Sequence, residues 1–196
     1  MTPPPIQYTR EQVVDAALEL ARQGGLDVVS ARTVAARLGS STKPVFTWFD
    51  GMGDLLDAVA ERINVLFGEH LQNFGETHHI ANPFLAIGLG YVDFARQERN
   101  LFQILFMSGN VEIESLAALV HPEAHHEFIE ALASQVQGTP KSETSYADLF
   151  RDIWLYVHGI ASMIACNDLD LTDDEITTRL TGALHAFSGH YLKETP

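Results

Sequence analysis

The chain reads as an all-α protein, an N-terminal three-helix module containing a helix-turn-helix followed by a C-terminal helical bundle. Three observations point there. Apolar residues recur at helical spacing along nearly the whole chain. The breaks between periodic stretches carry Gly, Pro, Asn and Asp, the residues of turns and loops. No hairpin signal and no repeat of fixed period interrupts the pattern. With 46% hydrophobic residues, among them eleven Phe, five Tyr and two Trp, 196 residues suffice for a packed core.

Each element has a local cause. Thr9 caps the first helix and Gln12 stands at its third position, which makes a capping box. Val14, Ala17, Leu18 and Ala21 then line one face. Gly24-Gly25 ends it, because glycine takes the left-handed conformation past a helix C-terminus at little cost. Ser30 caps a second helix with Val34, Ala35 and Leu38 on one face and Gly39 as its stop. Ser41 caps a third, short helix from Thr42 to about Phe49. Pro44 falls in its first turn, where its missing N–H has no helical partner to lose. After Asp50-Gly51 a long helix runs from about Gly53 to Phe74. Further helices are expected over residues 83–98, 101–107, 122–137, 144–166 and 172–193, with loops at 75–82, 138–142 and 167–171.

Two short helices joined by a glycine turn behind a longer supporting helix form a helix-turn-helix. Ala35 occupies the close-packing position, Gly39 makes the turn, and Val45 and Phe49 plug the third helix into the core. The other side of that helix presents Thr42, Lys43, Thr47 and Trp48, and its amide end points toward a phosphate. Net charge is −14, an unexpected sign for a nucleic-acid binder. Its distribution resolves the conflict: residues 1–56 net −1, with five basic against six acidic side chains, and the rest carries −13. Only the N-terminal part is fit to approach phosphate.

The stretch Arg32-Thr-Val-Ala-Ala-Arg-Leu-Gly-Ser-Ser-Thr-Lys-Pro-Val-Phe-Thr-Trp-Phe, followed by Asp54-Leu-Leu-Asp-Ala-Val, resembles the N-terminal domain of TetR-type (tetracycline-repressor-like) regulators. The resemblance covers roughly residues 10–60. It implies a DNA-binding domain over residues 1–51 and a regulatory domain over 52–196. It also implies that Ser30 and Arg32 face DNA at the start of the second helix, and that Ser41, Thr42, Lys43, Thr47 and Trp48 lie on the recognition helix. Phe46 sits among them where the family usually has a phosphate-binding Tyr, and Met52 stands where it usually has a phosphate-binding Lys. Phosphate contacts supply affinity and position while base contacts supply specificity. Losing the two contacts together therefore predicts weaker, less salt-dependent DNA binding with no change of fold.

Beyond residue 60, Asn100-Leu-Phe-Gln-Ile-Leu-Phe-Met and Trp154-Leu-Tyr-Val-His-Gly-Ile-Ala are similar to a subgroup of the family whose late helix carries Trp, His and Gly, here Trp154, His158 and Gly159. Aromatic and flexible apolar side chains exceed what a tight core needs. Phe67, Tyr91, Phe94, Phe102, Phe106 and Trp154 are the candidate lining of a ligand pocket, with His158 as its polar contact, and Phe74, Phe84, Met107 and Met163 as further candidates. For any single one of them core packing is the better explanation, and a hydrogen-bonded core histidine is the alternative for His158. On the last two helices Gly159, Ser162 and Cys166, and Gly182, Ala186 and Gly189, form small-residue stripes. Ile153, Ile160, Ile164, Leu180, Leu184, Phe187 and Tyr191 flank them. In the resembled family this pair packs against its twin as a homodimer, whose two-fold axis suits an operator with two half-sites. Packing within one subunit is the alternative.

Other function classes find little support. The histidine cluster His121, His125 and His126, with Glu123 and Glu127, lies on an exposed helix start, so no metal is assigned. Cys166 and His158 are eight residues apart on one helix, about 12 Å of axial rise, too far to form a nucleophile pair. No P-loop, dinucleotide-binding glycine pattern or nucleophile elbow is present, so neither an enzyme nor a cofactor is expected. A single cysteine, no signal-peptide pattern and no apolar run of membrane-spanning length lead to the expectation of a cytoplasmic protein without membrane contact. The expected function is a transcription regulator, a repressor by the resemblance. It binds a palindromic duplex operator as a homodimer and is released by a small apolar or amphipathic effector. The alternative is a helical ligand-binding protein of the same build whose DNA binding is weakened or lost. Effector, operator, target genes and the sign of regulation are not encoded legibly.

Overall fold

Short-range polar contacts start the helices where the sequence places them. The computed structural model describes residues 8–108, 126–142, 144–167 and 169–193. Helix α1 (Arg10–Gly24) begins at Thr9, whose Oγ1 accepts the Gln12 N–H at 3.2 Å, while Gln12 Oε1 accepts the Thr9 N–H at 2.9 Å. Ser30 and Thr33 form the same reciprocal pair at the head of α2 (Ala31–Arg37). The chain passes from α1 to α2 through Gly25 at φ 72° and one turn of 3-10 helix (Leu26–Val28), a feature too short to leave a periodic signal. Gly39 at φ 63° makes the turn into α3 (Lys43–Trp48). Here the expected cap moves by one residue. Thr42 is the capping position without a side-chain bond, and Ser41 Oγ accepts the Lys43 N–H at 3.4 Å instead.

Helices α4 (Met52–Thr77), α5 (Pro83–Gln97) and α6 (Arg99–Met107) follow. Helix α6 starts two residues earlier than the apolar pattern indicates, because Arg99 and Asn100 are polar helix-start residues. Helix α7 (His126–Ala133) ends four residues before the expected limit, in a turn at residues 134–135. The start expected at Pro122 lies outside the described residues, as do His121, Glu123 and His125. Helices α8 (Ser145–Asn167) and α9 (Asp173–Tyr191) complete the bundle, α9 opening on a Thr172–Glu175 capping box. The all-α reading stands with one small exception. Two-residue strands β1 (Thr139–Pro140) and β2 (Leu192–Lys193) pair antiparallel, too short for any alternation to be read. Gly138 (φ 122°) is needed there, since a Cβ would lie 2.5 Å from the Lys193 carbonyl oxygen. Next to it Lys141 Nζ donates to the Gly189 and His190 carbonyls at 2.9 and 2.8 Å, closing the otherwise unpaired end of α9.

The helices form two compact units. One gathers α1, α2, α3, the first part of α4 up to Gly68, and α6. Its core holds Val13, Ala17, Val34, Val45, Leu55, Ile63, Leu101 and Phe102, each without exposed surface. Asn100 Nδ2 donates to the Arg22 carbonyl at 2.8 Å and Glu98 Oε2 accepts from Arg22 Nε at 2.9 Å, so α6 satisfies the end of α1. The other unit holds the end of α4 from Glu69 with α5, α7, α8 and α9. Gly88 brings α5 close to α9, since a Cβ there would stand 2.7 Å from Leu180 Cδ1. Among the described residues no helix is long and apolar enough to cross a membrane.

A buried carboxylate ties the second unit together. Asp93, 8% exposed, accepts from Gln97 Nε2 at 2.8 Å and lies 3.1 Å from His70 Nε2. Arg96, 3.7 Å from Asp93, also reaches Asp173 at 3.1 Å and the Leu171 carbonyl at 2.9 Å, which joins α5 to the start of α9. Burial pushes the Asp93 carboxyl up, but the His70 and Gln97 hydrogen bonds and the His70 and Arg96 charges outweigh it and hold it below its ordinary 3.8. A carboxylate with a lowered folded value contributes stability that is present above 3.8 and lost as pH falls through the folded value. Asp93→Asn should therefore cost about 1–3 kcal/mol at neutral pH, and thermal denaturation should show the gap from wild type narrowing below pH 3.8.

Candidate functional site

Helix α3 has two unlike faces. Pro44, Val45 and Phe49 are buried, whereas Ser41, Lys43, Phe46, Thr47 and Trp48 are exposed and Thr42 is half-buried. On α2 Arg32 is exposed, and Ser30 is half-buried with its Oγ engaged as the cap. The residues expected to face DNA are thus all exposed or half-buried on α2 and α3 or at their starts, but two of them have other duties. Thr47 Oγ1 donates to the Lys43 carbonyl at 2.8 Å, which leaves its oxygen as an acceptor. Trp48 Nε1 donates to the Tyr8 carbonyl at 2.8 Å, and the Tyr8 hydroxyl donates to the Leu38 carbonyl. The indole N–H therefore anchors the residue before α1, and only the ring of Trp48 is left to face outward. Phe46 is 55% exposed, a large apolar side chain standing in water. Arg10 lies 5.0 Å from the centroid of the Phe49 ring, which steadies the start of α1 against the end of α3.

In the second unit a cavity of about 60 Å³ opens between α5, α7 and α8. Helix α5 contributes Phe84, Ile87, Gly88 and Tyr91; α8 contributes Phe150, Ile153, Trp154 and Val157; α7 contributes Leu132. Both long helices present the same i, i+3, i+4, i+7 stripe, a regularity that marks a shared face. Behind the wall the Tyr91 hydroxyl lies 2.9 Å from His158 Nδ1, and Ser162 Oγ lies 3.2 Å from His158 Nε2. Trp154 stacks on the imidazole at 4.9 Å, with the rings 12° from parallel. Burial alone lowers the His158 pKa and raises that of Tyr91, so both are neutral at physiological pH. The indole nitrogen of Trp154 is sealed from solvent without a hydrogen-bond partner.

Of the seven expected pocket residues, Tyr91 and Trp154 line this cavity and His158 supports it from behind. Phe94 is 2% exposed and packs against His70 at 5.4 Å. Phe67, Phe102 and Phe106 form a separate aromatic cluster in the first unit, with ring centroids 5.0 and 5.3 Å apart. Phe84 was among the further candidates; of the others, Phe74 is buried and Met107 and Met163 are exposed. Ile87, Phe150 and Val157 lie on the paired helical stripes of α5 and α8, a signal in the sequence that residue type alone does not give, and Leu132 lies outside both stripes.

The small-residue stripes of α8 and α9 lie outward: Gly159, Cys166, Gly182, Ala186 and Gly189 are exposed and Ser162 half-buried. The flanking apolar residues need correction. Ile153, Ile160, Ile164 and Leu180 are buried inside their own unit, Leu184, Phe187 and Tyr191 are half-buried beside the stripes, and Leu155, Tyr156 and Met163 add exposed apolar area on α8. The i, i+3, i+4 spacing alone could not separate the two faces because both are apolar. Among the described residues no group of three or more His, Cys, Asp or Glu is placed to hold a metal ion.

Comparison with known proteins agrees with this geometry. Residues 84–187 match the family described as Tetracyclin repressor-like, C-terminal domain. A stretch of 55 residues is 40% identical to the HTH-type transcriptional repressor DrrR1 of Streptomyces coeruleorubidus, and that match spans 28% of this chain and only 20% of the relative. The fold is similar to a TetR-like transcriptional regulator from Rhodococcus sp. RHA1 (TM-score 0.63, 16% identity, covering 92% of this chain and 94% of that one). It is also similar to a TetR variant from Acinetobacter baumannii AYE in complex with minocycline (0.55, 20%, 94% and 96%). A third likeness is to the multidrug binding protein EbrR complexed with imidazole (0.55, 19%, 89% and 88%).

The buried position of His158 has a measurable consequence. Its lowered folded value means that its contribution to stability is full above 6.5 and is lost as pH falls from there toward the folded value. An NMR titration of the imidazole should give a midpoint below 6.5. A midpoint at or above that value would mean that the Tyr91–His158–Ser162 chain is open to water.

Proposed function

The chain belongs to the tetracyclin repressor-like family of transcriptional regulators, not to an enzyme family, and we propose that it is a homodimeric repressor released from a palindromic operator by a small-molecule effector. The division of roles follows the sequence, with residues 1–51 reading DNA and residues 52–196 sensing and dimerising. The observation that carries the reading is the split of α3. Its buried face fixes the helix, its outer face leaves Lys43 and Thr47 exposed, and Arg32 of α2 is exposed as well. Arg and Lys serve phosphates or guanine edges, and a threonine oxygen serves donors on base edges.

Dimerisation is supported by the outward stripes of α8 and α9, where glycine and alanine permit close helix approach beside Leu155, Tyr156 and Met163. Two recognition helices then address half-sites about 34 Å apart. The effector site is the cavity between α5, α7 and α8. At about 60 Å³ it is smaller than the roughly 150 Å³ that accommodates benzene in a protein interior, so an effector must push its walls apart. Release then requires only that the effector prefer the widened state and that this state hold the recognition helices at a spacing unsuited to DNA.

A binding selection on random duplexes tests the proposal. Enrichment of a palindrome with half-sites one helical turn apart is expected, and Lys43→Ala or Thr47→Ala should relax or abolish the preference. No enriched palindrome even at low salt sinks the repressor reading and leaves a helical ligand-binding protein. Met52→Lys should add one phosphate contact, steepening the dependence of log K on log salt by about 0.9 per half-site. Phe46→Tyr adds a hydroxyl without charge, so affinity should rise with the slope unchanged.

A further inference from the structure

The cavity wall carries a chemical specification. Among the described residues its lining has no charged side chain, and Phe84, Ile87, Phe150 and Val157 give it an apolar surface. Its two polar side chains differ in state. The Tyr91 hydroxyl is engaged with His158 Nδ1 at 2.9 Å. The Trp154 indole N–H is sealed from water with no partner. A buried donor without an acceptor is costly and rare in native proteins, and here it belongs to a residue whose ring forms part of the cavity wall. Because a ligand must displace the wall to enter, the displacement itself gives this donor a route to an acceptor that the protein does not supply. Indole nitrogen donates and never accepts, so the complementary ligand atom is an oxygen or nitrogen lone pair.

We propose that the effector is an uncharged, single-ring molecule bearing one hydrogen-bond acceptor, which pairs with the Trp154 N–H while the apolar wall covers the ring. This deepens the preceding proposal and rests on its assignment of the cavity as the effector site. Carboxylates and ammonium compounds are rejected, since the wall has nothing to balance a charge taken out of water. With about 60 Å³ available before opening, each further ring asks for a larger displacement of the wall.

Isothermal titration of the full chain, without DNA, with four ring compounds tests this. Acetophenone carries a ring and a carbonyl acceptor. α-Methylstyrene has nearly the same shape with the acceptor removed, and benzoate and phenethylammonium carry opposite charges. Acetophenone should bind about tenfold tighter than α-methylstyrene, the weight of one hydrogen bond, and the two ions should not bind. Trp154→Phe should bring the two neutral ligands to within twofold of each other, whereas Tyr91→Phe should leave the ratio unchanged. The ratio within one variant is insensitive to any general loss of affinity, and the wild-type comparison stands if a variant does not fold. Equal binding of the two neutral compounds, binding of either ion as tight as acetophenone, no binding of acetophenone, or loss of the ratio in Tyr91→Phe but not in Trp154→Phe would each overturn the proposal. Because DNA is absent, these outcomes are separate from the duplex selection. If acetophenone binds as described but leaves an operator complex intact, the release reading fails and the site chemistry stands.

Discussion

A helix of six residues does not hold its shape in water, because nucleation costs more than so few hydrogen bonds return. Helix α3 exists because Val45 and Phe49 are buried and because Gly39 turns the chain back onto α2. The residues of α3 expected to meet DNA inherit their positions from that burial. The Trp48–Tyr8 and Tyr8–Leu38 hydrogen bonds lock the approach to α1 onto the same small core. The exposed face is thus preorganised by contacts on its buried side, so side chains there that take no part in holding the scaffold can vary without endangering it. Phe46 and Met52 are such variations. By the resemblance they would change what the chain offers to phosphate and leave the fold alone.

The second unit solves the opposite problem. Under the proposed reading its helices must pack well enough to be stable and loosely enough to open. Gly88 draws α5 toward α9, and the Asp93–Arg96–Asp173 contacts fasten that side. On the other side α5 and α8 present matching stripes that do not fully fill the space between them, and α7 contributes Leu132 as one wall. Behind the stripes, neutral His158 bridges Tyr91 and Ser162. A neutral imidazole donates through one nitrogen and accepts through the other, so the direction of one bond fixes that of the next. Among the described residues no charged side chain lines the cavity, and its interior is apolar.

Much of this was legible in the residues. The Thr9 and Ser30 caps, the Gly24-Gly25 and Gly39 stops and the buried Val45 and Phe49 depend on interactions within a few positions, which sequence spacing encodes directly. The cap of α3 slipped by one because Ser41 and Thr42 are chemically equivalent candidates, and only the backbone angles at Thr42 decide between them. Long-range arrangement was harder to see. Phe67, Phe102 and Phe106 look like pocket residues by type, yet they pack together in the first unit. Leu132 reaches the cavity through a contact that no local period announces. Ile153, Ile160 and Leu180 were assigned to the outer stripe because α8 and α9 are apolar on two sides, and periodicity then ceases to say which side is inward.

The two departures at the DNA-facing surface also bear on how little an effector must do. Under the proposed reading, each half-site loses contacts that would anchor it to phosphate, so single-site affinity is low and occupancy depends on both recognition helices engaging together. Bivalent binding is lost when geometry forbids simultaneous engagement. A coupling of about 1–3 kcal/mol, ordinary for allosteric proteins, is then enough to shift most of the population off DNA. A regulator with strong phosphate anchors would hold on through one half-site and need a larger push. The same −13 charge outside residues 1–56 adds to this, since a subunit that lets go of its half-site presents an acidic surface to the duplex and is repelled from it. Weak anchoring, paired engagement and an effector that need only wedge apart a small apolar cavity are therefore mutually consistent, each reducing what is asked of the others.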